Sequence, residues 1–316
     1  MFYAQASNNS YLLLYQKSFM RKLAFIIILL RLFVMHYIYL VLVFFSSMAF
    51  SETSAIDQRI KDEAKSEQFN FSIIPHKPNY IMPIYFNEKI ADYAIYQGSD
   101  GKSSSQRTEI KFQISLKVPL FQKIGNLPIS GYVAYTQLSY WQAYNTEYSS
   151  PFRETNYEPE AFILWETDQE LGLGWRFKAA QFGFTHQSNG RTEPTSRSWN
   201  RLDGSLLFDK GNLVISINPW YRFEDADDDN PDLLDFYGHG QIITAYKYND
   251  HVYSLTSRNN IESGFSKGAV TASWSFPIYG KIKGYVQVFS GYGNSLVEYN
   301  EYTNTVGLGI SISDFL

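Results

Sequence analysis

From Glu109 to Val118 the chain alternates without a break: Ile110, Phe112, Ile114, Leu116 and Val118 against Glu109, Lys111, Gln113, Ser115 and Lys117. Side chains two apart on a strand share a face, so this segment is a strand with one apolar side and one charged side. Leu213, Ile215, Ile217, Pro219 and Tyr221 repeat the pattern against Asn212, Ser216, Asn218 and Arg222. A soluble β-sandwich turns apolar faces inward and has no place for stripes of Lys, Glu and Gln there. A closed membrane barrel has a place for both faces, a polar lumen and a lipid-facing band. The 25 Tyr and 24 Phe cluster near strand ends, where such a barrel carries its aromatic girdles.

Strand candidates fall near 79–86, 108–119, 131–142, 159–167, 174–187, 198–209, 212–223, 236–248, 251–257, 268–276, 282–290 and 302–313. No segment between residue 50 and the C-terminus shows a convincing helical period. The expectation is all-β, a twelve-stranded antiparallel transmembrane barrel over 79–316, with 50–78 a polar periplasmic lead-in. Short connections (Lys210-Gly211, Asn249-Asp250, Pro277 to Lys281) alternate with long ones, such as 87–107, 143–158, 188–197 and 224–235. Short turns belong to the periplasm and long loops to the outside, so the fifth barrel strand ends at the outer rim.

Met20-Arg21-Lys22, the apolar run Leu23–Phe45 and Ser47-Met48-Ala49 read as an export signal, which assigns 1–49 to a leader. A transmembrane anchor is the other reading of that run. Cysteine is absent, which excludes disulfides and thiolate metal sites. A net charge of −4 with no basic patch gives no surface for nucleic acid.

At the fifth strand's outer end Phe182, Phe184, His186 and Ser188 share the apolar face. After a loop of about ten residues the sixth strand returns antiparallel, with Asn200, Leu202, Gly204, Leu206 and Phe208 on its own apolar face. Three polar groups thus converge on a lipid-facing patch. A serine hydroxyl needs a base to take its proton, and the base needs an orienting group. Ser188, His186 and Asn200 can fill these roles, and a neutral amide avoids a carboxylate charge near hydrocarbon. A solvated strand end explains a solitary His-x-Ser equally well. Gln137 shares an outward parity with Val133 and Tyr135, which places an amide among lipid-facing residues. Two such amides satisfy one another across a twofold axis, and interfacial water is the alternative partner.

The run His186-Gln187-Ser188-Asn189-Gly190-Arg191, with Pro194-Thr195-Ser196-Arg197-Ser198-Trp199-Asn200-Arg201-Leu202, resembles the signature of the outer-membrane phospholipase A family. So do Ser149 to Pro159 and Ser290-Gly291-Tyr292-Gly293-Asn294-Ser295-Leu296, and the similarity runs from about Phe71 to the C-terminus. Departures are Gln187, where the family often has Asp, the long leader and the final Leu316. The resemblance implies a calcium-dependent phospholipase A1/A2 of the bacterial outer membrane. It would cleave acyl esters of phospholipids and lysophospholipids and act as a homodimer. It implies Ser188 as nucleophile, His186 as general base and Asn200 as orienter. Calcium would be held by the Arg191 backbone carbonyl and the Ser196 hydroxyl, with Ser149 contributed by a second barrel and Gln137 at the dimer contact.

Gly264-Phe265-Ser266-Lys267-Gly268 matches a nucleophile elbow, but the apolar alternation after it reads as strand rather than the required helix. The acidic run Glu224 to Asp232 lacks the Gly and Glu of an EF-hand loop and reads as a solvated external loop. A non-enzymatic porin or adhesin is the competing function.

Overall fold

The hydrogen-bonded rungs run all the way round and leave no edge. In the computed structural model, which describes residues 54–67, 72–90, 105–225 and 228–316, a two-residue strand β1 (Ile74–Pro75) precedes twelve barrel strands. These are β2 (Asn79–Asn87), β3 (Thr108–Phe121), β4 (Ile129–Trp141), β5 (Phe152–Gly172), β6 (Trp175–Ser188) and β7 (Ser198–Lys210). They continue with β8 (Leu213–Phe223), β9 (Gly240–Tyr248), β10 (His251–Asn259), β11 (Gly268–Tyr279), β12 (Ile282–Tyr292) and β13 (Tyr302–Ser313). Each pairs antiparallel with its sequence neighbour, and β13 closes the cylinder on β2. Closure removes the unpaired strand edges that hydrocarbon could not hydrogen-bond. Gly211 and Gly280 turn two of the tight hairpins at positive φ (62° and 56°), where a Cβ would be strained. The leader expected over 1–49 lies outside the described residues.

Burial is inverted relative to a soluble protein. Ile114, Leu116, Val118, Ile163, Phe182, Leu206, Val288 and Leu308 are exposed on the outer wall, while Glu109, Lys111, Arg153, Glu154 and Glu298 are buried within. Most of the inward charges named are paired: Arg153 grips Glu109 through two bonds (2.8 and 2.9 Å) and Glu298 through a third (2.9 Å), while Lys111 donates to the Gln287 amide oxygen (2.9 Å). A buried charge is tolerated only with such partners.

Two strands depart from the alternation reading. The fourth barrel strand, β5, spans 152–172 rather than 159–167, because Glu154, Asn156 and Glu158 belong to the polar inner face and so lack a loop's freedom despite a loop's composition. β9 starts at Gly240 rather than 236, because Leu233–Tyr237 coils into a short helix, α2. Its Leu233 and Tyr237 join Trp199, Leu296 and Tyr299 in an apolar cluster.

A helix, α1 (Ala55–Ser66), also contradicts the helix-free reading. Ser54 caps it, accepting from the Ile56 amide at 3.2 Å. It docks at the short-turn end through polar contacts: Ala55 N–H to the Gly211 carbonyl (3.3 Å), Glu63 to Lys117 (2.7 Å), Asp57 to Lys178 (2.5 Å) and Arg59 to the Phe315 carbonyl (2.7 Å). Only Ala55 and Ile56 of the helix are buried. So narrow an apolar face leaves little periodicity to read.

Candidate active site

β6 and β7 meet in register at the outer rim, His186 opposite Asn200, Gln187 opposite Trp199 and Ser188 opposite Ser198. Phe182 and Phe184, on the face of His186 and Ser188, are 55% and 45% exposed, which marks that face as the lipid-facing one. Asn200 also neighbours Phe223, whose ring lies 6.1 Å from that of Phe184. The polar patch therefore rests on an apolar floor.

His186 Nδ1 and Asn200 Oδ1 are 2.8 Å apart. An amide oxygen only accepts, so this contact assigns the imidazole proton to Nδ1 and leaves Nε2 with a lone pair. Ser188 follows on the same strand face, roughly 7 Å along it, and is half-buried beside its register partner Tyr157.

The loop 189–197 is folded around one side chain. Buried Asn189 accepts from the Arg191 and Arg197 amides (3.3 and 3.0 Å) and donates to the Thr195 carbonyl (2.8 Å). The Arg191 guanidinium reaches inward to Glu154 (3.1 Å) and to the Arg153 carbonyl. Its own main chain is thereby tied to the lumen network.

Sequence reading left the acidic loop in solvent, and its C-terminal half is not there. Arg222 takes Asp228 in a bidentate pair (2.6 and 2.7 Å), and Asn230 accepts the Ser198 amide at 3.0 Å. That docking carries Asp229 to the Ser196 hydroxyl, which donates to it. Glu193 completes the group. Its carboxyl is raised above the ordinary value by hydrogen bonding to Asp229, and Asp229 is lowered by that bond and then by Ser196. The two carboxyl groups lie against one another at the rim. Among the described residues no three His, Asp or Glu gather as a metal cluster. The donors brought together here are a hydroxyl and two carboxylates, all hard oxygens, a set that fits calcium and not a soft metal. A signal for Asp229 existed in the acidic run, but the strand-to-strand fold-back that delivers it did not show.

Gln137 sits on the outward face of β4 among exposed Val133, Tyr135 and Ile114. Its amide donates to Ser139 Oγ (3.1 Å) and accepts from Tyr135 Oη (3.3 Å). Ser149 lies on the β4–β5 loop in the left-handed region (φ 59°), its amide turned back to the Thr146 carbonyl. No hydrogen bond described for Ser149 reaches the β6–β7 loop. The elbow-like Gly264 to Gly268 leads into strand β11, not a helix.

Residues 56–312 match the family model described as Phospholipase A1. The chain belongs to that family. It is 39% identical to the phospholipase A1 of Escherichia coli strain K12 over 245 residues, covering 77% of this chain and 82% of the relative. Proteus vulgaris phospholipase A1 is likewise 39% identical over 248 residues, with the same coverage. Among solved structures, the outer membrane phospholipase A of Escherichia coli superposes with a TM-score of 0.74 at 37% identity, over 80% of this chain and 97% of that one. The Salmonella typhi outer membrane phospholipase, described as a dimer with bound calcium, gives 0.74 at 36% identity and the same coverage. Membership makes this chain an enzyme, an ester hydrolase, and places it in the outer membrane as a β-barrel. The porin or adhesin alternative is set aside.

Proposed function

We propose that this chain is a calcium-dependent phospholipase A that cleaves acyl esters of phospholipids and lysophospholipids at the outer face of the outer membrane, active as a dimer. The observation that carries the reading is the 2.8 Å contact between His186 Nδ1 and Asn200 Oδ1. It orients an imidazole on the lipid-facing wall, with the Ser188 hydroxyl on the same face.

In this reading His186 Nε2 takes the proton of the Ser188 hydroxyl as its oxygen attacks the acyl carbonyl carbon. The carbonyl electron pair moves to oxygen, then returns as the ester bond breaks. His186 passes its proton to the departing alkoxide, releasing the lysolipid or glycerol derivative. Water, deprotonated by the same imidazole, then attacks the acyl-serine and frees the fatty acid. Asn200 holds the ring in one tautomer throughout. Burying a neutral amide beside lipid costs less than burying a carboxylate.

The Arg191 carbonyl, the Ser196 hydroxyl and the Glu193 and Asp229 carboxylates would hold calcium, joined by Ser149 of the partner subunit. When bound, the ion supplies positive charge that stabilises the oxyanion. The closeness of Glu193 to Asp229 supports this, since the second carboxylate raises the Glu193 carboxyl and a cation between the two would relieve their repulsion. Gln137, a polar side chain among exposed Val133, Tyr135 and Ile114, would lie at a twofold contact through β4, exchanging its bonds to Ser139 and Tyr135 for ones across the axis. The Salmonella typhi relative is described as a dimer with bound calcium, which supports the reading.

The test is fatty-acid release from phospholipid–detergent micelles by refolded protein, with calcium or with EDTA, beside Ser188→Ala. Release that depends on both supports the reading. Equal release from Ser188→Ala would end it.

A further inference from the structure

We infer that Gln187 and Trp199 are positioning residues for the triad, an inner clamp that holds His186 and Asn200 in line from the lumen side. Strand alternation puts a rung of opposite parity between the two that carry the chemistry. Gln187 faces Trp199 in register, flanked by His186–Asn200 on one side and Ser188–Ser198 on the other. The Trp199 indole N–H donates to Gln187 Oε1 at 2.7 Å, a side-chain bond that crosses the hairpin at this rung.

One half of the clamp is anchored. Trp199 is 5% exposed and packs with Leu233, Tyr237, Leu296 and Tyr299. Its ring meets Tyr237 edge-on at 5.9 Å and Trp220 at 6.0 Å, and the Arg201 guanidinium lies over it at 4.2 Å. An indole held on so many sides has little rotational freedom, so its N–H is a fixed reference. The other half needs that reference. β6 ends at Ser188 and β7 begins at Ser198, so His186 and Asn200 lie within the last rungs of the ladder, where the hairpin passes into the 189–197 loop. On the outer side they face lipid chains, which fix nothing. The bond from Trp199 to Gln187 transfers the order of the buried cluster across the sheet to the strand that carries Ser188 and His186. A ~1 Å misplacement of reacting groups costs about 100-fold in rate, so this order acts on turnover.

The inference rests on the triad reading, and the experiment separates the two. Gln187→Leu removes the acceptor, Trp199→Phe removes the donor but keeps a ring in the cluster, and Gln187→Glu keeps an acceptor. The readouts are the rate at which a long-chain sulfonyl fluoride labels Ser188, kcat and KM on a lysophospholipid in mixed micelles, and the thermal unfolding midpoint. Gln187→Leu and Trp199→Phe are expected to lower kcat and labelling about 10–100-fold with KM within about twofold. Gln187→Glu is expected within about threefold of the parent, and the Gln187→Leu/Trp199→Phe double variant no worse than either single. Parental labelling rates in both single variants would overturn the clamp. So would losses that Gln187→Glu does not restore, or that follow the unfolding midpoint alone. If Gln187→Leu does not fold, Trp199→Phe decides the matter. A parent that takes no label at Ser188 overturns the triad and the clamp together, whereas a labelled parent with unaffected variants overturns the clamp only.

Discussion

The two ends of the barrel solve opposite problems with the same side-chain chemistry. At the short-turn end, α1 brings acids to buried bases of the barrel wall, Glu63 to Lys117 and Asp57 to Lys178, and Glu63 also pairs with Arg59 on its own helix. At the outer rim, groups stay under-committed. His186 is bonded through Nδ1 to the neutral amide of Asn200, and Glu193 lies against a second carboxylate, Asp229, which raises it. Matched pairs close an opening. Groups with capacity to spare can bind and react. The difference teaches that polarity at the ends of this barrel is not enough to mark function; incomplete satisfaction is the informative sign.

Variants at the two ends should therefore separate activity from stability. The largest effect is expected from Ser188→Ala, which should lower fatty-acid release by about 10³–10⁶-fold with the unfolding midpoint unchanged. Next, Asn200→Ala should cost about 10–100-fold in labelling, because the imidazole loses its orienting acceptor. A smaller loss, or none, would mean the 2.8 Å contact is incidental. On the calcium site proposed above, Asp229→Asn should raise the calcium needed for half-maximal labelling by about tenfold, since one charged oxygen ligand would be lost. The same requirement has a signed pH dependence. Because the Glu193 carboxyl is raised, it takes up its proton at a higher pH than an ordinary glutamate, so calcium must displace that proton as the medium becomes acidic. More calcium should be required at about pH 5 than at about pH 8, and the gap should close in Glu193→Gln.

At the other end, Glu63→Gln should lower stability by about 1–3 kcal/mol, because the buried Lys117 loses its charged partner. Labelling at Ser188 should not change. A fall in labelling there would erase the contrast between the ends. The smallest expected effect is that of Gln137→Leu. It should weaken self-association in detergent by about tenfold, measured by sedimentation, and leave the folded barrel intact.

Much of this was legible because a strand in a membrane wall obeys a period of two. The alternation from Glu109 to Val118 shows its wet and dry faces, and the same parity puts His186, Ser188 and Asn200 on one wall from local sequence alone. The Asp229 contact was not legible. It needs Arg222 to seize Asp228 and Asn230 to cap the Ser198 amide, two bonds between segments whose local sequence reads as polar loop. The length of β5 was hidden for a related reason, since Glu154 and Asn156 look like loop until the lumen that buries them exists.

By itself the sequence determined the barrel, its strand number and which residues share the lipid-facing wall, because these follow from local alternation that every rung must respect. Only the tertiary structure decided the rest. α1 at the short-turn end, Asp229 beside Ser196 and Trp199 packed against Leu233 and Leu296 are all fixed by pairings between distant segments. Such pairings depend on closure of the cylinder, which brings them within reach and removes the water that would otherwise compete for them.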